Sequence, residues 1–229
     1  MTDLYASPRL RWPQSISNLE QKQEVAARAA ARVKDGQLIG IGSGSNAYLV
    51  LWAIGQRARD ENLKVAVVCS SYETETAALS LGLQLLQLGS VKPLWGVDGA
   101  DEVDPHNRLL KGRGGALFKE KILWSTAEQM YLAVDPTKYV ERLGQGFPLP
   151  IEVHRDGVGL LSDKLESLGA RDFELRIAGG KDGPVLTEAG NLLIDAWFDQ
   201  IPEGLHSTLK MLPGVIETGL FEGYPFQAL

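Results

Sequence analysis

Three short segments of this 229-residue chain hold the residue types that acid–base chemistry and anion binding need. The most informative is LLKGRGGALFKEKILWSTAEQ, Leu109 to Gln129. At ~100° per residue, Ala116, Leu117, Leu123, Trp124, Ala127 and Met130 fall on one apolar stripe of a helix. Glu120 falls in the middle of that stripe, flanked by Lys119 and Lys121. A carboxylate on the buried face of a helix is costly unless it is paired or hydrogen-bonded. Burial raises its pKa, which suits a general base working near neutral pH. A structural ion pair with a nearby Lys or Arg fits the same pattern. Lys111 precedes the turn Gly112-Arg113-Gly114 that opens this helix.

The other two segments are turns after expected strands. In VDGADEVD, Val97 to Asp104, Asp98 sits just past a strand and Asp101 follows three residues later. Gly99 between them permits a backbone that aims two carboxylates at one point, although a solvated acidic turn fits as well. The acid spacing excludes a calcium loop. In GIGSGSNA, Gly40 to Ala47, the glycines let backbone N–H groups approach an anion, and the start of a helix adds a favourable dipole. Ser43, Ser45 and Asn46 supply further donors around Gly44. A tight turn with a capped helix is the alternative. The segment also fits the dinucleotide pattern GxGxxA, but the next strand ends in Cys69-Ser70-Ser71 rather than in an acid for a ribose hydroxyl. No Gly-Lys-Ser/Thr follows to make a P-loop. Ligands of open α/β sheets bind at the carboxyl ends of strands, so the three turns are candidates for one site.

The elements that must carry these turns alternate. Helices are expected over Ser17–Val33, Ala47–Arg59, Glu73–Leu81 and Gly115–Gln129. Strands are expected at Leu38–Gly42, Val65–Ser71, Leu83–Leu88, within Val91–Val97, and at Met130–Val134. Such alternation implies βαβ crossovers and a parallel sheet with helices on both faces. After GQGFPLP the order becomes strand, helix, two strands around a GGKDG turn, helix, strand, the pattern of a small ferredoxin-like domain. The expectation is an α/β chain. A Rossmann-like parallel-sheet domain spans residues 1–147 and a smaller ferredoxin-like α+β domain spans residues 148–229, with the C-terminal tail open to returning to the first.

Composition narrows the classes. Net charge is −6, which argues against nucleic acid or an anionic membrane surface as partner. The single cysteine, Cys69, excludes an intrachain disulfide and a cysteine zinc cage, and its apolar strand makes it a small buried hydrophobe. His106, His154 and His206 lack metal-ligand spacing, so neither metal nor cofactor is expected. No apolar run is long enough to span a membrane, and MTDLYASPRLRWPQ lacks a signal-peptide core, so a cytoplasmic protein is expected.

At these segments the sequence resembles ribose-5-phosphate isomerase of the A type. DGADEVDPHNRLLKGRGGALFKEKIL is similar to that family's most specific stretch, and GSGSNA stands where the family has a Gly-Thr-Gly-Ser-Thr turn. The similarity continues through LAVDPTKYVERLG, FPLPIEV and LPGVIETGLF, in order, from about residue 20 to about residue 221. The resemblance implies interconversion of ribose 5-phosphate and ribulose 5-phosphate through an enediolate, without a metal. It implies that Glu120 is the base moving a proton between C1 and C2, that Asp98 assists ring opening and handles hydroxyl protons, and that Lys111 stands near the enediolate oxygen. Asp101 then matches a sugar-hydroxyl partner. Ser43, Gly44, Ser45 and Asn46 match the phosphate turn, with Lys22 as a further phosphate contact. Lys138 matches a substrate-binding lysine, and Gly99, Ala100, Gly112, Arg113 and Gly114 belong to the turns that touch substrate. A homo-oligomer, dimer or tetramer, is implied.

Three departures stand out. Asn46 replaces the family's second threonine, Arg113 interrupts its Lys-Gly-Gly-Gly turn, and the chain ends at GYPFQAL where the family continues with a segment returning to the first domain. Asn46 and Arg113 leave open a divergent isomerase of another sugar phosphate. A non-catalytic sugar-phosphate sensor of the same fold is the third reading, although binding alone does not need Glu120.

Overall fold

The computed structural model describes residues 16–229; the expectation for the leaderless stretch Met1–Gln14 lies outside the described residues. In chain order the elements are α1 (Leu19–Ala30), β1 (Leu38–Ile41), α2 (Gly44–Asp60), β2 (Ala66–Cys69), α3 (Tyr72–Ser80), β3 (Gln84–Leu85), β4 (Trp95–Asp98), β5 (Glu102–Val103), β6 (Leu109–Leu110) and α4 (Leu117–Thr126). They continue with β7 (Met130–Leu132), β8 (Leu149–Val153), α5 (Val158–Leu165), β9 (Ala170–Leu175), β10 (Leu192–Phe198), α6 (Leu205–Lys210), β11 (Val215–Thr218), β12 (Leu220–Phe221) and β13 (Gln227–Ala228).

Internal packing divides the described chain into two compact units. The first holds the residues through Gly99 together with Ile122–Asp135 and Pro225–Leu229. The second holds Ala100–Lys121 and Pro136–Tyr224. A single cut between 147 and 148 differs from this division, because residues 100–121 and 136–147 pack with the C-terminal part. Two contacts of the second unit explain it: β6 pairs with β12, and Glu102 binds the backbone of the 144–147 loop.

The first unit is a six-stranded sheet of order β13-β7-β4-β1-β2-β3, with every pairing parallel. Side chains alternate across a strand, and the alternation sorts the helices. Ile39 and Ile41 of β1, with Trp95 and Val97 of β4, are buried in one core with Ala26 and Ala29 of α1 and Leu51 and Ile54 of α2. Gly40 and Gly96 point to the other face and are register partners across β1 and β4. A Cβ at Gly40 would collide with Leu123 of α4, and one at Gly96 would stand 2.7 Å from the Met130 sulfur. Gly40 therefore leaves the gap in which Leu123 of α4 lies against the sheet, and Gly96 makes room for the Met130 side chain of β7. The short tail returns: residues 225–229 belong to this unit, and β13 extends the sheet beside β7.

The second unit contains a four-stranded antiparallel sheet of order β11-β8-β10-β9. Its chain order, β8-α5-β9-β10-α6-β11, is the ferredoxin-like arrangement expected from the pattern. Leu149, Ile151 and Val153 of β8 share a core with Leu161 and Leu165 of α5 and Leu205 and Leu209 of α6. A small sheet of β12, β6 and β5 completes the unit. Two elements depart from the sequence reading. LQLLQL supplies only the two-residue β3, and the acidic turn continues into the β5–β6 pairing, strands too short to show a period.

Two glycines separate close packing from conformational freedom. Gly219 donates to Pro150 O and accepts from Lys111 N, and a Cβ there would collide with the Lys111 carbonyl and lie 2.8 Å from Pro150 Cδ. Gly219→Ala is expected to destabilise by roughly 1–3 kcal/mol. Gly159, in the exposed first turn of α5, has open space around it, and Gly159→Ala is expected to stabilise by up to about 1 kcal/mol. Urea unfolding of both variants, at unchanged m-value, checks the pair.

Candidate active site

In the first unit the glycine turn runs from the end of β1 into α2. Gly42 N donates to Val97 O at 2.8 Å, which locks the turn to β4. Gly44 takes φ 76°, the left-handed region that glycine adopts without cost, and α2 starts there. Ser43, Gly44, Ser45 and Asn46 are all half-exposed, so the first-turn N–H groups of α2 face a solvated surface where an anion is favoured. The buried Lys22 of α1 donates to Ser45 Oγ at 3.1 Å and adds a positive charge to that end. Asn46 packs its amide beside Gly99, 3.3 Å from where a Cβ would stand. Its side chain thus spans from the α2 turn to the turn after β4.

Asp98 closes β4 and is fully buried. Its Oδ1 accepts from Gly99 N at 2.8 Å and from Ser43 N at 3.3 Å, and its Oδ2 accepts from the Trp124 indole N–H at 2.8 Å. A Cβ on Gly42 would collide with the Asp98 carboxyl group. The acidic turn is therefore not a solvated one: its first carboxylate is held inside the protein by N–H donors.

In the second unit Lys111 Nζ and Glu120 Oε1 form an ion pair at 3.2 Å, each side chain only 3% exposed. The two readings of Glu120 thus converge, because the partner of the buried carboxylate is the lysine singled out for the oxyanion. Lys111 is the first residue after β6; its N–H donates to Gly219 O at 2.9 Å, and its ammonium lies 5.5 Å from the Phe221 ring centre. The turn to α4 reverses at Gly112, φ 103°, and Gly115, φ 79°, closed by Gly115 N to Gly112 O at 3.0 Å. Arg113 lies between them outside the left-handed region, so the residue that interrupts the family's glycine run costs no backbone strain. Gly114 is exposed beside it.

Asp101, half-buried, accepts from Arg113 N at 3.3 Å. Burial pushes its carboxyl above the usual range, against the pull of Lys111, Lys138 and Arg113. Lys138 and Arg113 stand 5.2 and 5.4 Å from the centre of the same Phe147 ring, so two cations share one aromatic side chain. Ala100 is half-buried at the start of this unit.

Several residues that hold these groups carry no sequence signal. Arg176, after β9, is paired with Asp195 of β10 and donates to the carbonyls of Gly112 at 3.3 Å and Arg113 at 2.8 Å. Glu102 accepts from Gly144, Gly146 and Phe147 N–H groups and fixes the loop that presents Phe147. The fully buried Glu152 of β8 accepts from Thr187 Oγ1 and from Asn191 Nδ2. Lys121, beside Glu120, is buried against Glu217 at 2.8 Å and lies 5.0 Å from the Phe221 ring centre. Burial pulls the Lys121 ammonium below its ordinary pKa. The Glu217 carboxyl feels burial in the opposite sense, but Lys121 and its other donors hold it lower. None of these partners lies at helical or strand spacing from the group that it holds.

Burial drives the Cys69 thiol up to about 12, in keeping with a small buried hydrophobe. Among the described residues no group of three or more His, Cys, Asp and Glu side chains is placed to hold a metal ion, and no helix is long and apolar enough to cross a membrane.

Comparison with known proteins gives one answer. The family model for ribose 5-phosphate isomerase A (phosphoriboisomerase A) matches residues 66–229. The chain is 42% identical over 215 residues to ribose-5-phosphate isomerase A of Synechococcus sp. (strain RCC307), covering 92% of this chain and 90% of that one. It is 42% identical over 204 residues to the protein of that name from Methanothermobacter thermautotrophicus, covering 88% and 89%. Among solved structures, ribose 5-phosphate isomerase A from Methanocaldococcus jannaschii superposes with a TM-score of 0.86 at 35% identity, over 92% of this chain and 93% of that one. A D-ribose-5-phosphate isomerase in complex with phospho-erythronic acid gives 0.85 at 36% identity, over 90% and 91%. A match of this extent, through the segments that carry Asp98, Lys111 and Glu120, shows that the chain belongs to the ribose 5-phosphate isomerase A family.

Proposed function

We propose that this chain interconverts D-ribose 5-phosphate and D-ribulose 5-phosphate by proton transfer through an enediolate, and that the buried Lys111–Glu120 pair is its chemical centre. Moving a proton between neighbouring carbons needs a positioned base and a positive group for the oxygen that becomes charged. Glu120 removes the proton from C2 of the open-chain aldose. The electron pair shifts so that C1–C2 gains double-bond character and the C1 oxygen becomes anionic, and Lys111 stabilises that charge. Glu120 returns the proton to C1 while the O2 hydroxyl proton is transferred to the C1 oxygen, which leaves the C2 ketone and a neutral C1 hydroxyl. Low local dielectric strengthens the attraction between Lys111 and the new oxyanion.

The remaining roles follow the family match residue by residue. Asp98 assists ring opening and carries hydroxyl protons, and Asp101 binds a sugar hydroxyl. Ser43, Gly44, Ser45 and Asn46 bind the phosphate with N–H and side-chain donors, supported by Lys22. Gly99, Ala100, Gly112, Arg113, Gly114 and Lys138 contribute backbone and cationic contacts. Side chains supply both the base and the electrophile, so the proposed route uses no metal or organic cofactor. The Phe147-stacked Arg113 is a chain-specific cation, and a panel of aldose phosphates ranked by kcat/KM shows whether it redirects preference away from ribose 5-phosphate. On the same reading the enzyme works in the cytoplasm as a homo-oligomer, which sedimentation of the purified protein checks.

Glu120→Gln is expected to lower kcat by at least about 10²–10⁴-fold while sugar-phosphate binding persists, because the amide cannot accept the carbon-bound proton. Wild-type turnover in a coupled assay would discard the base assignment. Gly42→Ala displaces the Asp98 carboxyl group, and a displacement of ~1 Å at a reacting group costs on the order of 10²-fold in rate. The expected outcome is a folded, phosphate-binding protein with strongly reduced kcat, measured beside its thermal melting curve.

A further inference from the structure

Strand alternation puts Gly96 and Asp98 on the α4 face of the sheet, and α4 meets the second of them with a tryptophan. Trp124 and Asp98 are 4% and 0% exposed, and the indole N–H donates to Asp98 Oδ2 at 2.8 Å. The donors on Oδ1, Gly99 N and Ser43 N, both come from turns at the ends of strands. The Trp124 indole reaches the second oxygen. The indole is seated in turn by Phe226, edge-on at 6.1 Å between ring centres and 80° between planes, in the segment leading to β13.

We propose that Trp124 is a positioning residue for the isomerase reaction: its N–H fixes the plane of the Asp98 carboxylate, and Phe226 of the returning C-terminal segment fixes the indole. The inference rests on the reading of Asp98 as the group that handles hydroxyl protons. A carboxylate at the end of a strand rotates readily about its last torsion, because that sp³–sp² torsion is broad. Donors on one oxygen alone leave this rotation open, and a donor on the other oxygen closes it. Indole suits the task because it is a donor only. It cannot take a proton from Asp98 or pass one on, so it holds the group still without joining the transfer. Trp124 stands four residues after Glu120, so one helix carries the proposed base and the clamp on the proposed hydroxyl-proton carrier.

The test uses the full-length protein. Trp124→Phe keeps a buried ring and removes the N–H. The expected result is a folded enzyme whose kcat falls about tenfold with KM for ribose 5-phosphate within about twofold, as for loss of one charge-assisted hydrogen bond. Phe226→Leu keeps the N–H but loosens the indole, and a kcat loss of about two- to threefold at constant KM is expected. In ¹⁵N spectra the indole signal that disappears in Trp124→Phe is expected to move in Asp98→Asn. Wild-type kcat in Trp124→Phe, or a loss that only tracks the folded fraction, overturns the proposal. Should Trp124→Phe not fold, an unmoved indole signal or unchanged kcat in Phe226→Leu overturns it equally. Asp98→Asn separates the two layers. If it turns over at the wild-type rate, the reading of Asp98 fails; if it is impaired while Trp124→Phe is not, only the present inference fails.

Discussion

The interaction on which the second unit depends is the buried contact between Lys111 and Glu120. Each charge is taken out of water, and each compensates the other. Removing one partner of such a pair typically costs ~3–5 kcal/mol, since the survivor is left uncompensated. The pair cannot drift, because each member is tied elsewhere. The Lys111 backbone is bonded to Gly219, its ammonium lies 5.5 Å from the Phe221 ring centre, and the Glu120 N–H donates to Ala116 O at 2.8 Å. The strain-free pairing of base and electrophile is what lets one helix turn serve the proposed chemistry.

Around that pair the unit is organised by charged groups as much as by its apolar core. Lys121 is compensated by Glu217, Arg176 by Asp195, and Glu102 by three loop N–H groups. Such groups add little net stability, because desolvation offsets most of their attraction. Their effect is geometric. Arg176 pins the Gly112–Arg113 carbonyls, and Glu102 sets the Phe147 ring on which Arg113 and Lys138 lie. The cost of burying charge is met by a defined position for each turn that the substrate is proposed to touch.

The first unit reaches the same end by absence of side chains. Gly40 opens the sheet face to α4, Gly96 makes room for the Met130 side chain, and Gly42 leaves the space that the Asp98 carboxyl group fills. A carboxylate fully inside the protein is acceptable there because backbone N–H groups and the Trp124 indole receive it. The C-terminal segment returns to this unit, as the sequence reading left open: β13 pairs with β7, and Phe226 meets Trp124. Two register pairs, Gln227 with Tyr131 and Ala228 with Leu132, and one aromatic contact hold it there.

Much of this was legible in the residues alone. Periodicity placed the helices and most strands to within a few residues, the ferredoxin-like order followed from element succession, and Glu120 stood out because a charge interrupts an apolar stripe of α4. Asp98, Lys111 and the Ser43–Asn46 turn stood out because glycine beside a polar residue at a strand end suits a ligand turn, although a capped or solvated turn fitted the same residues. These are local features, written into spacings of one to four residues. The tertiary structure alone decided which charge each buried charge meets. Lys111 with Glu120, Lys121 with Glu217, Arg176 with the Gly112 turn and Trp124 with Asp98 are joined across nine to 96 residues of chain. No periodicity encodes such pairs, because they arise only when separate elements pack and every buried donor and carboxylate must find a partner away from water.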